Sequence, residues 1–191
     1  MKYVAAALLV ACALISWQGL GEEFPIVGAQ APSFDLPDLA GIQHSLDEYL
    51  GSPIVINFWT TWCGACKYEF PVLQKFDQKY SDQVQLVTIC AGSSEQEALE
   101  TLEEKGASFL VLYDEKETVS MAYQPPRPHD KRRIVAFPFS VFLDENGLVV
   151  YARIGIFVDL DKMVSLLQDS GISLTEPIAA QREGRMRASG E

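Results

Sequence analysis

The run Ile54–Trp59 consists of six residues with almost no polar alternation, and it leads through Thr60-Thr61-Trp62 into Cys63-Gly64-Ala65-Cys66. A strand without alternation is buried on both faces, as a central parallel strand is when helices cover its sheet. Beyond the cysteines, Phe70, Leu73 and Phe76 recur at helical spacing, which predicts a helix over 63–80. Pro71 falls inside that helix and is expected to kink it, because proline lacks the amide proton a helix interior needs. Strand, cysteine pair and helix in this order put Cys63 at a helix N-terminus and Cys66 near one turn further on.

The rest of the chain reads as a layered α/β domain. Residues 33–36 and 43–45 form two short strands about a turn at 38–41, and Ser45 can cap a short helix that Gly51 ends. Residues 84–91 are the next strand. Ser94 and Glu97 make a capping box for a helix closing at Lys105 and Gly106. A strand at 109–113 and a short helix at 116–123 come next. Asn146-Gly147 between the β-rich runs 139–143 and 148–154 signals a hairpin, and Asp159 can cap a last amphipathic helix through Leu167. Helices alternating with buried strands give an α/β fold whose central mixed sheet carries helices on both faces, with an extra N-terminal β-hairpin.

A length of 191 residues suits one domain with terminal extensions. The expected division is a signal peptide or membrane anchor at 1–21, a linker at 22–31, the folded domain at 32–170 and a polar, aperiodic tail at 171–191. Residues 3–20 are almost wholly apolar, with Lys2 before them and Glu22 and Glu23 after them. That length is near the minimum for spanning a bilayer, and the N-terminal positive charge favours export of the domain C-terminal to it. Leu9-Val10-Ala11-Cys12 is also similar to a bacterial lipoprotein cleavage box, with Cys12 the candidate lipidation site, although the apolar run continues past it. Both readings tether the domain to a membrane, outside the cytoplasm.

Composition removes other classes. With 26 acidic and 15 basic side chains the formal charge is -11, which repels nucleic-acid phosphates. Four cysteines (Cys12, Cys63, Cys66 and Cys90) are too few for a disulfide-stapled scaffold. With no second CxxC and no paired histidines, a closed zinc site lacks ligands, and no metal or other cofactor is expected. His44 and His129 are solitary.

The chemistry therefore gathers at Cys63 and Cys66. Free backbone N–H groups and the positive end of the helix dipole favour a thiolate at Cys63. Cys63 can attack a partner disulfide, and Cys66 can resolve the mixed disulfide, leaving the pair oxidised. The bland readings are half a metal site or two buried structural thiols. A Cu(I)-binding module is a second function, since soft thiolates suit that ion, but an extra His or Met ligand is lacking. A third is peroxiredoxin-like peroxide reduction, because Thr60 stands three residues before Cys63. Cys90, at the end of a buried strand, reads as a structural thiol, with a regulatory thiol as the alternative.

The stretch Asn57-Phe58-Trp59-Thr60-Thr61-Trp62-Cys63-Gly64-Ala65-Cys66-Lys67-Tyr68-Glu69-Phe70-Pro71 closely resembles the thioredoxin-like TlpA/ResA family of membrane-tethered, extracytoplasmic thiol–disulfide oxidoreductases. The likeness runs over about 27–167 and includes Ala31-Pro32-Ser33-Phe34, the Phe137-Pro138 step and Phe142-Leu143-Asp144-Glu145-Asn146-Gly147. It implies a thioredoxin-like fold and a protein-disulfide reductase acting on exported client thiols or disulfides, apocytochrome c in haem attachment among them. If the chain acts as a reductase, its N-terminal anchor implies that reducing equivalents cross the membrane, from a membrane-embedded electron donor. Cys63, Cys66 and Glu69 become the candidate catalytic residues, and Trp62, Phe137 and Pro138 the candidate substrate-binding ones.

Glu69 matches the family's active-site glutamate, and its position three residues after Cys66 puts it on the same helix face. From spacing alone it is equally a solvated helix glutamate. Cytoplasmic thioredoxins carry a buried Asp six residues before the first cysteine, where this chain has Asn57, which leaves proton handling to Glu69. Pro138 matches the cis-proline that presents a substrate strand, against the plain alternative of an edge-strand proline. Phe137 is bulky where relatives often carry a smaller residue. The basic segment 124–133, with Arg127, Lys131, Arg132 and Arg133, is longer than the family's usual link; it reads as a solvated loop or as a device steering acidic clients.

Overall fold

A computed structural model describes residues 26–124 and 135–175 of the chain. The expected membrane segment, Cys12, the basic residues Arg127 to Arg133, His129 and the tail beyond Thr175 lie outside the described residues.

The buried run Ile54–Trp59 forms β3, the middle strand of a five-stranded sheet. Two short strands precede it, β1 (Asp35–Pro37) and β2 (Gln43–Ser45), which pair only with each other. Beyond β3 come α1 (Gly64–Tyr80), β4 (Gln85–Ala91), α2 (Glu95–Lys105), β5 (Val111–Asp114) and α3 (Thr118–Tyr123). The chain closes with β6 (Phe139–Leu143), β7 (Val149–Ile154) and α4 (Leu160–Asp169). Strand order is β5-β4-β3-β6-β7, with β3 parallel to β4 and antiparallel to β6, so the sheet is mixed as expected.

Every β3 side chain is buried, and alternate residues feed two cores. Val55 and Trp59 pack with Phe70, Leu73 and Phe76 of α1 and with Met163 and Leu167 of α4. Ile54, Ile56 and Phe58 pack with Phe34, Leu36, Leu46 and Tyr123 from the N-terminal hairpin and α3. The first core is closed by aromatic edges: Phe70 meets Trp59 at 4.9 Å and Phe109 at 5.2 Å between ring centres.

Local signals explain most boundaries. The Ser94–Glu97 capping box forms with both reciprocal bonds, and α2 stops at Gly106, whose φ of 62° is left-handed. Ser94→Ala removes one cap and is expected to lower stability by about 1 kcal/mol in denaturant unfolding. Asp159 caps α4 through the Lys162 amide at 2.7 Å. The expected helix after Ser45 is a single 3-10 turn, Leu46–Tyr49. The α1 helix runs unbroken through Pro71, which is exposed.

Several expected boundaries move, and the strand expected at 109–113 lies at Val111–Asp114. The helix expected from 116 starts at Thr118, because its cap comes from β5: Asp114 accepts from the Thr118 amide at 2.9 Å and the Ser120 amide at 2.8 Å. The strand expected at 33–36 lies at Asp35–Pro37, while Phe34 is buried in the second core. The folded unit also reaches past 32–170 at both ends. Ile26 is buried, and Gly28 and Ala31 donate to the Val149 and Gly147 carbonyls, each at 2.9 Å. At the other end Ile172 is buried, and Thr175 donates to Gln83 at 2.8 Å.

Candidate active site

The loop from β3 to α1 is fixed by hydroxyls. Ser93 Oγ, just after β4, lies 3.0 Å from both Thr60 Oγ1 and Thr61 Oγ1 and accepts from the Thr61 amide at 3.2 Å. The Cys63 amide in turn donates to the Thr60 carbonyl at 3.1 Å. Thr60 is thus held by Ser93 at the base of the loop. Cys63 is the N-cap of α1, and its Sγ accepts from the Cys66 amide at 3.1 Å. This is the thiolate-favouring position the sequence implies, with an unpaired helix amide directed at sulfur.

Cys63 and Cys66 are joined as a disulfide, with Cα atoms 5.3 Å apart. Their exposures differ slightly: Cys63 retains 7% of its surface, and Cys66 retains none. Both are buried, Cys63 the less completely. Cys90 lies on β4 opposite Trp59, fully buried, and burial pushes its thiol up to about 12. A thiol held protonated in the core is a poor nucleophile.

Glu69 is not a solvated helix residue. It is fully buried on the inner face of α1, one turn after Cys66. Its Oε1 accepts from Asn57 Nδ2 at 2.6 Å, and its Oε2 accepts from the Phe157 amide at 2.8 Å. Desolvation dominates and raises the carboxyl to about 7, against the two hydrogen bonds and the Arg153 charge, which pull it down. The Arg153 guanidinium sits 5.1 Å from the Phe157 ring centre. A carboxyl with that proton affinity can take or give a proton near neutrality.

Asn57 holds this arrangement from the sheet. Its amide donates to Glu69 and also, at 3.0 Å, to Ser140 Oγ, its register partner on β6. Asn57 Oδ1 is buried and has no hydrogen-bond partner among the described residues.

Pro138 follows a cis peptide bond from Phe137 and sits just before β6, where its carbonyl accepts from Gly155 at 2.9 Å. Trp62 is 69% exposed and meets the Phe137 ring edge-on at 5.9 Å. Cys63 and Cys66 belong to the first core, and Phe137 packs against both cores. His44 sits apart in the N-terminal hairpin, 2.9 Å from Tyr49 Oη and 3.5 Å from Asp38. Among the described residues, no group of three His, Cys, Asp or Glu is placed to hold a metal ion.

Asn57's bond to Ser140, the Phe157 amide and the Ser93 hub are site features that sequence reasoning missed. Only the two threonines before the CxxC hinted at the last.

The Redoxin family profile matches residues 26–167. The thioredoxin-like protein YneN of Bacillus subtilis is 29% identical over 131 residues, covering 67% of this chain and 71% of that protein. The thiol-disulfide oxidoreductase ResA of Geobacillus kaustophilus is 31% identical over 124 residues, covering 64% of this chain and 66% of that protein. Among solved structures, a Chlorobium tepidum protein assigned as thiol:disulfide interchange protein DsbE superposes with a TM-score of 0.64 at 26% identity, covering 75% of this chain and 96% of that one.

Proposed function

Since this chain belongs to the Redoxin family and is a thiol–disulfide oxidoreductase, we propose that Cys63 and Cys66 are its redox pair and that it reduces disulfides in exported proteins. The observation that carries the reading is the Cys63–Cys66 disulfide at the N-terminus of α1, less completely buried at Cys63 and backed by buried Glu69.

In the reduced protein the Cys63 thiolate attacks one sulfur of a client disulfide. The client S–S bond breaks, a Cys63–client bond forms, and the other client sulfur leaves as a thiolate. Cys66 gives its proton to the Glu69 carboxylate and attacks Cys63 Sγ, which expels the second client thiolate and closes the Cys63–Cys66 disulfide. Two electrons pass from the pair to the client, and Glu69 returns its proton as the product thiols form. Trp62 and Phe137 supply the apolar shelf on which the client lies, and the backbone before Pro138 aligns its chain.

The apolar run at 3–20 supports a domain held on the outer side of a bacterial inner membrane, by an anchor or by lipidated Cys12. There a membrane-embedded donor recharges the pair, and apocytochrome c is one client class consistent with the chemistry. The direction of flow is tested by acid-quenching cells and alkylating free thiols with a mass tag. A reductase is expected to carry Cys63 and Cys66 mainly as thiols at steady state. A pair found almost wholly oxidised would mean that it oxidises its clients.

A further inference from the structure

A groove of about 600 Å³ runs along α1 from the Cys63 end and is lined by Gly64, Lys67, Tyr68, Lys75, Lys105 and Val158 among others. It contributes three lysines and no acid to its own lining, in a chain whose formal charge is -11. Next to the lining, Glu104 Oε1 lies 2.7 Å from Lys105 Nζ. Lys105 and then Lys67 hold that carboxyl below its usual range, so it stays ionised and offsets one of the three lysine charges, which leaves the groove a net cationic excess. Tyr68 is 69% exposed and Val158 60% exposed, which gives the cationic groove apolar edges.

We propose that this groove receives an acidic segment of the partner protein whose sulfur reacts at Cys63. The proposal rests on the thiol-exchange reading above and adds what the site selects. Gly64, the neighbour of Cys63, forms the head of the groove, so a chain that brings its own sulfur to Cys63 has a path along α1. Lys67 and Lys75 are eight residues apart, roughly 12 Å along the helix axis. An extended chain covers that distance in about four residues, and carboxylates at positions i and i+4 point to the same side. An acidic segment of that spacing meets both lysines, while an apolar residue between the acids rests on Tyr68 or Val158. Such a surface acts mainly on encounter rate and is weakened by salt.

The test uses the reduced full-length protein and three disulfide-bonded peptides alike except at two positions four residues apart, occupied by Glu, Gln or Lys. Second-order rate constants are read by stopped-flow fluorescence at low and high salt. The Glu peptide is expected to react about tenfold faster than the Gln peptide at low salt, with the Lys peptide slowest and the order compressed by salt. In the Lys67→Glu/Lys75→Glu/Lys105→Glu variant the order is expected to invert. The ratio within each protein cancels any change the variant makes to Cys63 itself, and a Lys→Gln triple variant should abolish the preference. Equal rates for the three peptides, or a preference that survives charge reversal, would overturn the groove assignment and leave thiol exchange standing. Failure to reduce any peptide or neutral 2-hydroxyethyl disulfide would overturn the exchange reading itself, and this proposal with it.

Discussion

Replacing Cys63 with serine is expected to reduce catalysed disulfide exchange by at least about a thousandfold, to the rate of the free reagents, because among the described residues no other group is placed to supply the nucleophile. Cys66 is fully buried and Cys90 is both buried and held protonated, so neither substitutes for it. Cys66→Ala behaves differently. It retains Cys63 at the N-cap position, so the first attack on a disulfide is expected to proceed and turnover to stop at the mixed disulfide. A burst of one equivalent of client thiol in Cys66→Ala, and none in Cys63→Ser, is the kinetic signature. If the two variants were equally inert, the order assigned to the two sulfurs would not hold.

The second large effect belongs to Glu69. Its carboxyl ionises near 7 in the folded protein, against 4.5 for an ordinary glutamate, and burial is the main cause. Below the ordinary value both folded and unfolded chains hold this proton, and the group's contribution to stability is fully present. As pH rises, the unfolded chain ionises first, which favours unfolding, and the contribution is lost until the folded carboxyl also ionises. A displacement of this size corresponds to roughly 3 kcal/mol lost between pH 4 and pH 8. Exposed carboxylates such as Glu97, whose affinity for protons is lowered by its Ser94 cap, act in the opposite sense. The measurement is therefore the difference between wild type and Glu69→Gln, oxidised, unfolded by denaturant across that range. The variant is expected to lose the falling component of the profile, whatever fixed offset its amide introduces against Asn57 and Phe157. Its exchange rate is expected to fall by about a hundredfold, with the ionisation near neutrality gone from the pH–rate profile. Retention of that ionisation would assign it to another group.

The centre of this molecule was legible because the strand, the CxxC and the helix succeed one another without interruption. Full burial of Ile54–Trp59 follows from its lack of alternation, and the N-cap position of Cys63 follows from where the helical period begins. The caps of α2 and α4 are likewise local. What escaped was set by pairing across the sheet. Asn57 meets Ser140 only because β3 and β6 run antiparallel in a register that joins residues 83 apart in sequence, and the Phe157 amide reaches Glu69 across 88. No window of neighbouring residues carries either fact. The late start of α3 is a local effect instead, since Asp114 caps amides only four and six residues on. The cis-proline and Glu69 came through resemblance. Spacing alone left Glu69 as readily a solvated residue, and its burial against Asn57 and Phe157 identifies it as part of the buried site.

Whether Cys63 forms the bond to the client is tested most directly by trapping. Reduced Cys66→Ala protein is mixed with an oxidised client protein, quenched in acid, digested without reductant and analysed by mass spectrometry. The expected product is a client peptide disulfide-bonded to the peptide carrying Cys63, released by dithiothreitol. No adduct, or an adduct joined through Cys90, would contradict the assignment of Cys63 as the attacking sulfur.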